Sequence, residues 1–256
     1  MDGSRREIVI AHDPADLHRR AAELVAQDIV ERAGVGDRVA VALSGGKTPL
    51  GLYERLAAGG FRKEIPWPRV HLFWGDERCV PPGHPESNYR AVYESLLSRI
   101  PIPSENIHRM PAEQADPEKA ADEYERLLRA FFLPKEGAWP AFDLVLLGIG
   151  SDGHTASLFP GSPALDETRR WVAAPYIEKL KAHRLTLTLP VLNEARRVVF
   201  LAAGEDKAEV LRDWLGADRA GTRLPVQRIK PRHGRLIFFL DRSAARFVDA
   251  EKRPPR

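Results

Sequence analysis

Apolar positions along this chain recur with two periods, and the switch between them marks out the elements. Residues 38–43, 70–74, 144–147, 198–202 and 235–240 are short, nearly continuous apolar runs, the pattern of strands buried on both faces. Residues 7–11 read as a further short strand, and 185–189 (Leu-Thr-Leu-Thr-Leu) alternate with period two until Pro190. Between these runs lie stripes of helical period. Asp13-Pro14 opens a helix to about residue 33, with Leu17, Ala21, Leu24, Val25 and Ile29 on one face and Gly34 and Gly36 closing it. Ser87-Asn88 caps a second, whose stripe of Tyr89, Val92, Tyr93, Leu96, Leu97 and Ile100 is predicted to be core. Asp116-Pro117 starts a third, with Ala120, Tyr124, Leu127, Leu128 and Phe131 inward. Helices are also predicted at 208–215 and, briefly, at 243–248. Residues 101–111 read as an irregular connection, 134–140 as the return to the next strand, and the segment around Trp171 and Tyr176 as a polar excursion.

Strands alternating with helices predict a parallel sheet with helices on both faces, an α/β fold. No internal repeat and no long flexible linker interrupts the 256 residues, so a single domain over 1–256 is expected.

Composition narrows the classes without choosing among them. No apolar run reaches the 18 or so residues of a membrane span, and the first residues lack the apolar core of a secretory signal. The lone cysteine, Cys79, forms no internal disulfide and suits a reducing, cytoplasmic setting. Its neighbour Val80 suggests a small buried hydrophobe rather than a nucleophile. The net charge of +3 is modest, and the basic residues are scattered except in the tail Lys252–Arg256. Neither a nucleic-acid partner nor a membrane is expected.

The chemistry concentrates where apolar runs end. The run 144–147 breaks into Gly148, Gly150 and Gly153, with Ser151, Asp152, His154 and Thr155 among them. Open α/β sheets bind ligands at such carboxyl ends. The glycines spell G-x-G-x-x-G, but Pro160-Gly161 stops any following helix and no second strand ends in an acid about 20 residues on, so a dinucleotide site is excluded. The glycines are expected instead to let backbone approach a small ligand closely.

The run 38–43 ends in Ser44-Gly45-Gly46-Lys47-Thr48-Pro49. Thr48 is predicted as N-cap and Pro49 as the first helical residue, a loop whose free N–H groups and helix dipole suit phosphate. The run 70–74 ends in Gly75-Asp76-Glu77-Arg78. Arg184 precedes the alternating strand, and Lys207 occupies a first helical turn, where a cation is unfavourable unless it faces solvent or an anion. No metal-ligand cluster is evident.

Taken together, G-I-G-S-D-G-H-T-A-S-L-F-P, S-G-G-K-T-P, W-G-D-E-R, S-N-Y-R (residues 87–90) and G-E-D-K-A, in this order, resemble the 6-phosphogluconolactonases. Those enzymes share a superfamily with the glucosamine-6-phosphate deaminases. The resemblance spans nearly the whole chain and implies a Rossmann-like three-layer α/β/α sandwich with a mainly parallel sheet. It implies hydrolysis of 6-phospho-D-glucono-1,5-lactone in the pentose phosphate pathway, without metal or organic cofactor. A monomer or small homo-oligomer is expected, the sequence itself leaving the oligomeric state open.

Carried over to these positions, His154 is expected to act as general base and then as acid. Arg78 or the N–H groups of Gly45 and Gly46 are the oxyanion donors in prospect. Asp152 and Asp76 are candidates for orienting His154 or binding sugar hydroxyls. Ser44, Gly45, Gly46 and Thr48, with Arg184 and Lys207, are expected to hold the substrate and its 6-phosphate.

A deaminase is the nearest rival. That branch carries Phe-Asn-Glu-Pro after Asp-Gly-His, where this chain has Leu158-Phe159-Pro160-Gly161 and no glutamate. A non-catalytic sugar-phosphate-binding module is the rival from another class, although it has no need of Asp152, His154 and Arg78 together.

Overall fold

A computed structural model describes residues 6–133, 137–215 and 224–248. The opening residues 1–5, residues 134–136 of the 134–140 connection and the basic tail from Lys252 to Arg256 lie outside the described residues.

Strands β1 (Arg6–Ala11), β2 (Val39–Leu43), β3 (Val70–Trp74), β5 (Ile107–His108), β6 (Leu144–Gly148), β10 (Arg197–Ala202) and β11 (Arg235–Asp241) form one sheet in the order β1-β11-β10-β6-β2-β3-β5. Every neighbouring pair is parallel. All five residues of β2 and residues 144–147 of β6 are buried, as central strands covered on both faces require. The longer helices are α1 (Pro14–Val35), α2 (Lys47–Leu56), α4 (Asn88–Ser95), α5 (Pro117–Phe132) and α7 (Ala208–Leu215), with shorter α3 (Gly59–Glu64) and α6 (Leu189–Asn193). Asp13, Ser87 and Asp116 cap α1, α4 and α5 through their side chains, as their sequence positions predict.

The strand order reverses between β2 and β6. From β2 the chain moves outward through β3 to β5, and from β6 outward through β10 and β11. Loops leaving β2 and β6 therefore diverge and open a crevice at their carboxyl ends. Register sets those ends in two steps: Leu43 pairs with Trp74 and Leu201 with Gly148, while Ala42 pairs with Val145, so β6 and β10 run about two residues beyond β2 and β3.

A second, antiparallel sheet stands beside that edge. It joins β4 (Asp76–Arg78), β9 (Ala182–Leu187) and β7 (Val172–Ala173), with β8 (Tyr176–Ile177) also on β9. The chain steps from one sheet to the other across Gly75, whose N–H donates to Leu43 O at 2.8 Å and whose carbonyl accepts from Leu187 N at 2.8 Å. Asp76 and Arg78 are thereby carried over the ends of β2 and β6.

Several expectations give way to the structure. Thr48 does not cap α2: Gly46 does, with φ +89°, and the helix starts at Lys47 without a side-chain cap. Left-handed backbone at Gly46 turns the chain earlier than a threonine could. The alternating strand ends at Leu187, and Leu189 and Pro190 open α6, because proline fits a first helical turn better than a ladder. The supposed irregular connection 101–111 contains β5, and the excursion around Trp171 contains β7 and β8, each two residues long and too short to show a period. Residues 243–248 form turns rather than a helix. Tyr93 is 49% exposed, so the stripe of α4 is narrower than predicted; the helix ends at Ser95, and Leu96, Leu97 and Ile100 reach the core from the turn beyond.

Candidate active site

Four segments converge at the carboxyl edge around a cavity of about 380 Å³: the loop 44–49, β4, the turn 149–156 and the connection 203–207. The loop is anchored from below. Ser44 is buried; its N–H donates to the Tyr53 hydroxyl at 3.0 Å, and that hydroxyl donates back to Ser44 O at 2.7 Å. Tyr53 is itself fully buried, and burial raises its phenol above the ordinary range, so it remains a neutral donor. Gly45 is required by close approach: a Cβ there would lie 1.8 Å from Asn88 Oδ1. Asn88 donates through Nδ2 to Asp76 O at 2.9 Å. Asp76 in turn accepts from Ser157 Oγ at 2.7 Å. This buried chain ties the loop to β4 and to the far side of the glycine-rich turn.

That turn presents His154. Gly150 N–H donates to His154 O at 2.8 Å, and Gly153, with φ +78°, closes the loop. The space above Gly150 is filled by the imidazole itself, since a Cβ would lie 2.0 Å from His154 Nδ1 and 2.8 Å from Asp152 Oδ1. What approaches this backbone is the catalytic candidate's own ring rather than a ligand, which corrects the sequence-based reason for that glycine. Gly150→Ala should displace the ring and lower turnover by about tenfold or more; unchanged activity in steady-state kinetics would refute this packing.

His154 Nδ1 bonds Asp152 Oδ1, and its backbone N–H donates to the same oxygen at 3.2 Å. Lys179 Nζ bonds the other oxygen, Oδ2. Burial pushes the Asp152 carboxyl up, but Lys179 and His154 outweigh it and hold the group at about 2. An ionised carboxylate has no proton to give, so the proton in the Asp152–His154 bond belongs to the ring. When the imidazole is neutral its hydrogen therefore sits on Nδ1 and its lone pair on Nε2, and the residue lines the cavity. Phe159 stacks on the imidazole with centroids 4.1 Å apart.

Of the two aspartates proposed to orient His154, only Asp152 bonds it among the described residues; the side chain of Asp76 bonds Ser157 and Asn88. Glu77 is buried beneath the end of α4, accepting from the N–H groups of Arg78, Asn88 and Tyr89. Arg78 lines the cavity and donates to Glu86 O at 2.5 Å. Lys207 lines it too, mostly buried and 2.8 Å from Asp206 Oδ2. Thr48 reaches it from the first turn of α2.

Arg184 does not line this cavity. It stands opposite Arg78 in register, its Nη1 donating to His183 O at 3.1 Å. Burial and the neighbouring Arg78 charge lower its pKa. Cys79 is half-buried against the core, and burial raises its thiol to about 11, which leaves it unreactive.

Sequence reasoning passed over Lys47, Asn88 as more than a cap, Ser157, Phe159 and Lys179. Ser157 and Phe159 stood within the quoted motif; Lys179, on the turn before β9, gave no signal at all. A larger cavity, about 930 Å³, opens on the other side of Asp152, Phe159 and Lys179. Among the described residues no group of three or more His, Cys, Asp or Glu side chains could hold a metal ion, and no helix is long and apolar enough to cross a membrane.

A doubly wound sheet carrying an Asp–His pair and several cations at its carboxyl edge defines an α/β protein equipped to act on a small anionic molecule. The family model of glucosamine-6-phosphate isomerases/6-phosphogluconolactonase matches residues 12–238, and the chain belongs to this family. It is 44% identical over 228 residues to a 6-phosphogluconolactonase of Synechocystis, covering 89% of this chain and 92% of that one. Over 246 residues it is 41% identical to the 6-phosphogluconolactonase of Rattus norvegicus, covering 94% and 93% of the two chains. The solved 6-phosphogluconolactonase of Trypanosoma brucei superposes with a TM-score of 0.84 at 30% identity, over 96% of this chain and all of that one.

Proposed function

We propose that the protein hydrolyses 6-phospho-D-glucono-1,5-lactone to 6-phospho-D-gluconate, the step its relatives are named for. The observation that carries this reading is His154, bonded through Nδ1 to Asp152 and lining a cavity that Arg78 and Lys207 line with it.

A lactone is an activated ester and needs only a positioned base and charge stabilisation. Nε2 of His154 takes a proton from water as the water oxygen bonds C1. The carbonyl oxygen becomes an oxyanion, met by Arg78 or by the N–H groups of Gly45 and Gly46. As the tetrahedral adduct collapses, the bond from C1 to the ring oxygen breaks, and the imidazolium returns its proton to that oxygen. Lys207, Ser44 and Thr48 hold the 6-phosphate, with the free N–H groups of the first turn of α2. Arg184 contributes from beside Arg78, its charge adding to the field that favours an anion. Asp76 supports the loop through Asn88 and offers its remaining acceptor capacity to sugar hydroxyls.

The deaminase reading is disfavoured because the residue stacked on His154 is Phe159, with no glutamate in 158–161. We further read the chain as one cytoplasmic unit, monomeric or a small homo-oligomer, without a nucleic-acid partner.

The test is acid release from freshly generated lactone, corrected for spontaneous hydrolysis. Acceleration by the folded protein is expected, and its absence would discard the reading. Lys207→Ala should raise KM about tenfold with kcat less affected, as loss of one charged phosphate contact implies. An unchanged KM would remove Lys207 from the phosphate site.

A further inference from the structure

We propose that Lys179 is a positioning residue: by holding Oδ2 of Asp152 it fixes the carboxylate, and through it the ring of His154, in the orientation that leaves Nε2 free to act as the base. The inference rests on the lactonase reading for its consequence in turnover, though not for its geometry.

Three observations carry it. Lys179 and His154 occupy different oxygens of one carboxylate, so the two bonds together fix its rotation. The Lys179 ammonium lies 5.3 Å from the centre of the Phe159 ring, and that same ring stacks on His154, so the aromatic contact supports the same alignment. The lysine sits on a short turn (Glu178–Leu180) that ends in left-handed backbone at Lys181, φ +48°, immediately before β9. The strand that pairs with β4 therefore also sets where the ammonium stands.

The electrostatic consequence has a definite sign. A carboxylate facing an imidazole favours the imidazolium, and a cation on the carboxylate's other oxygen reduces that preference. Other charges facing His154 across the cavity are Asp76 and Arg78 from β4, Lys47 at the start of α2, and Asp206 with Lys207 beyond β10. Among the described residues, only Lys179 bonds Asp152 on the side away from the ring. Its removal leaves the undivided carboxylate to the imidazole, so the ring should hold its proton to higher pH.

Lys179→Met and Lys179→Arg test this in two ways. The first is independent of turnover: an NMR pH titration of the free protein, with the His154 signal assigned by its loss in His154→Ala. The midpoint should rise by about half a unit to one unit in Lys179→Met and return toward wild type in Lys179→Arg. The second is kinetic: Lys179→Met should lower kcat by about fivefold to twentyfold at neutral pH with KM within about twofold, and arginine should restore most of it. An unmoved midpoint in a folded Lys179→Met protein overturns the proposal. So does a change confined to KM, which would make Lys179 a substrate contact. If wild-type protein does not hydrolyse the lactone, the function falls, while the titration still decides the role of Lys179.

Discussion

His154→Ala is expected to slow lactone hydrolysis by at least about a hundredfold, with KM changed little. The magnitude follows from what is lost. Water is a poor nucleophile until its proton has somewhere to go, and Nε2 is the basic nitrogen that the Asp152 bond leaves free on a residue that lines the cavity. Without it, attack on C1 and protonation of the departing ring oxygen both fall to solvent. The cations and loop that bind the phosphate are untouched, which is why kcat rather than KM should carry the effect. Stability should change little. The side chain is 29% exposed, and its ring rests on glycine backbone and one face of Phe159. Acid release should be measured for wild type and variant side by side, with circular dichroism to establish that both are folded. A loss of only a few-fold would mean that another group moves the proton.

The large features of this site are legible in the sequence because they follow from topology. Apolar runs too continuous to be half-exposed strands become β2, β3, β6 and β10, and the polar residues that end them must then meet on one edge. Ser44, Asp76, Arg78 and His154 meet there for that reason alone. What remained hidden depends on short elements and on side-chain direction. The strands β5, β7 and β8 have two residues each, and no period can be read from two positions. Arg184 and Arg78 were both expected at the site; they are cross-strand partners, yet only Arg78 lines the cavity. Asp76 and Asp152 looked interchangeable as carboxylates near a histidine. Their roles part only when Ser157 and Asn88 are seen on the first, and His154 and Lys179 on the second. Lys179 belongs to no motif: a lone lysine in a polar turn is ordinarily solvated, and only the folded register of β8 and β9 brings it to Asp152.

That arrangement makes the outcome of Asp152→Asn unusually specific. The substitution keeps size and shape but replaces one oxygen by an NH2 group, and the question is which way the amide turns. An ammonium can only donate, so Lys179 draws the amide oxygen to itself. The NH2 group then faces His154 and donates to Nδ1, which forces the ring proton onto Nε2 and leaves no lone pair toward the cavity. By analogy with other Asp–His pairs, a wrong tautomer costs on the order of a thousandfold to ten-thousandfold in kcat, comparable to losing the histidine. Opposing this is the His154 backbone N–H, which in the native site bonds the oxygen on the ring side at 3.2 Å. Removing the lysine lets that donor decide. The amide oxygen should turn back toward His154, accept from Nδ1–H and restore the useful tautomer. The double variant Asp152→Asn/Lys179→Met is therefore expected to be about tenfold or more faster than Asp152→Asn alone, even though Lys179→Met by itself is harmful. Steady-state rates for the four proteins form one double-mutant cycle and check the sign directly. If the two losses simply multiply, Lys179 does not govern the Asp152 side chain, and the tautomer of His154 is set by something other than this pair.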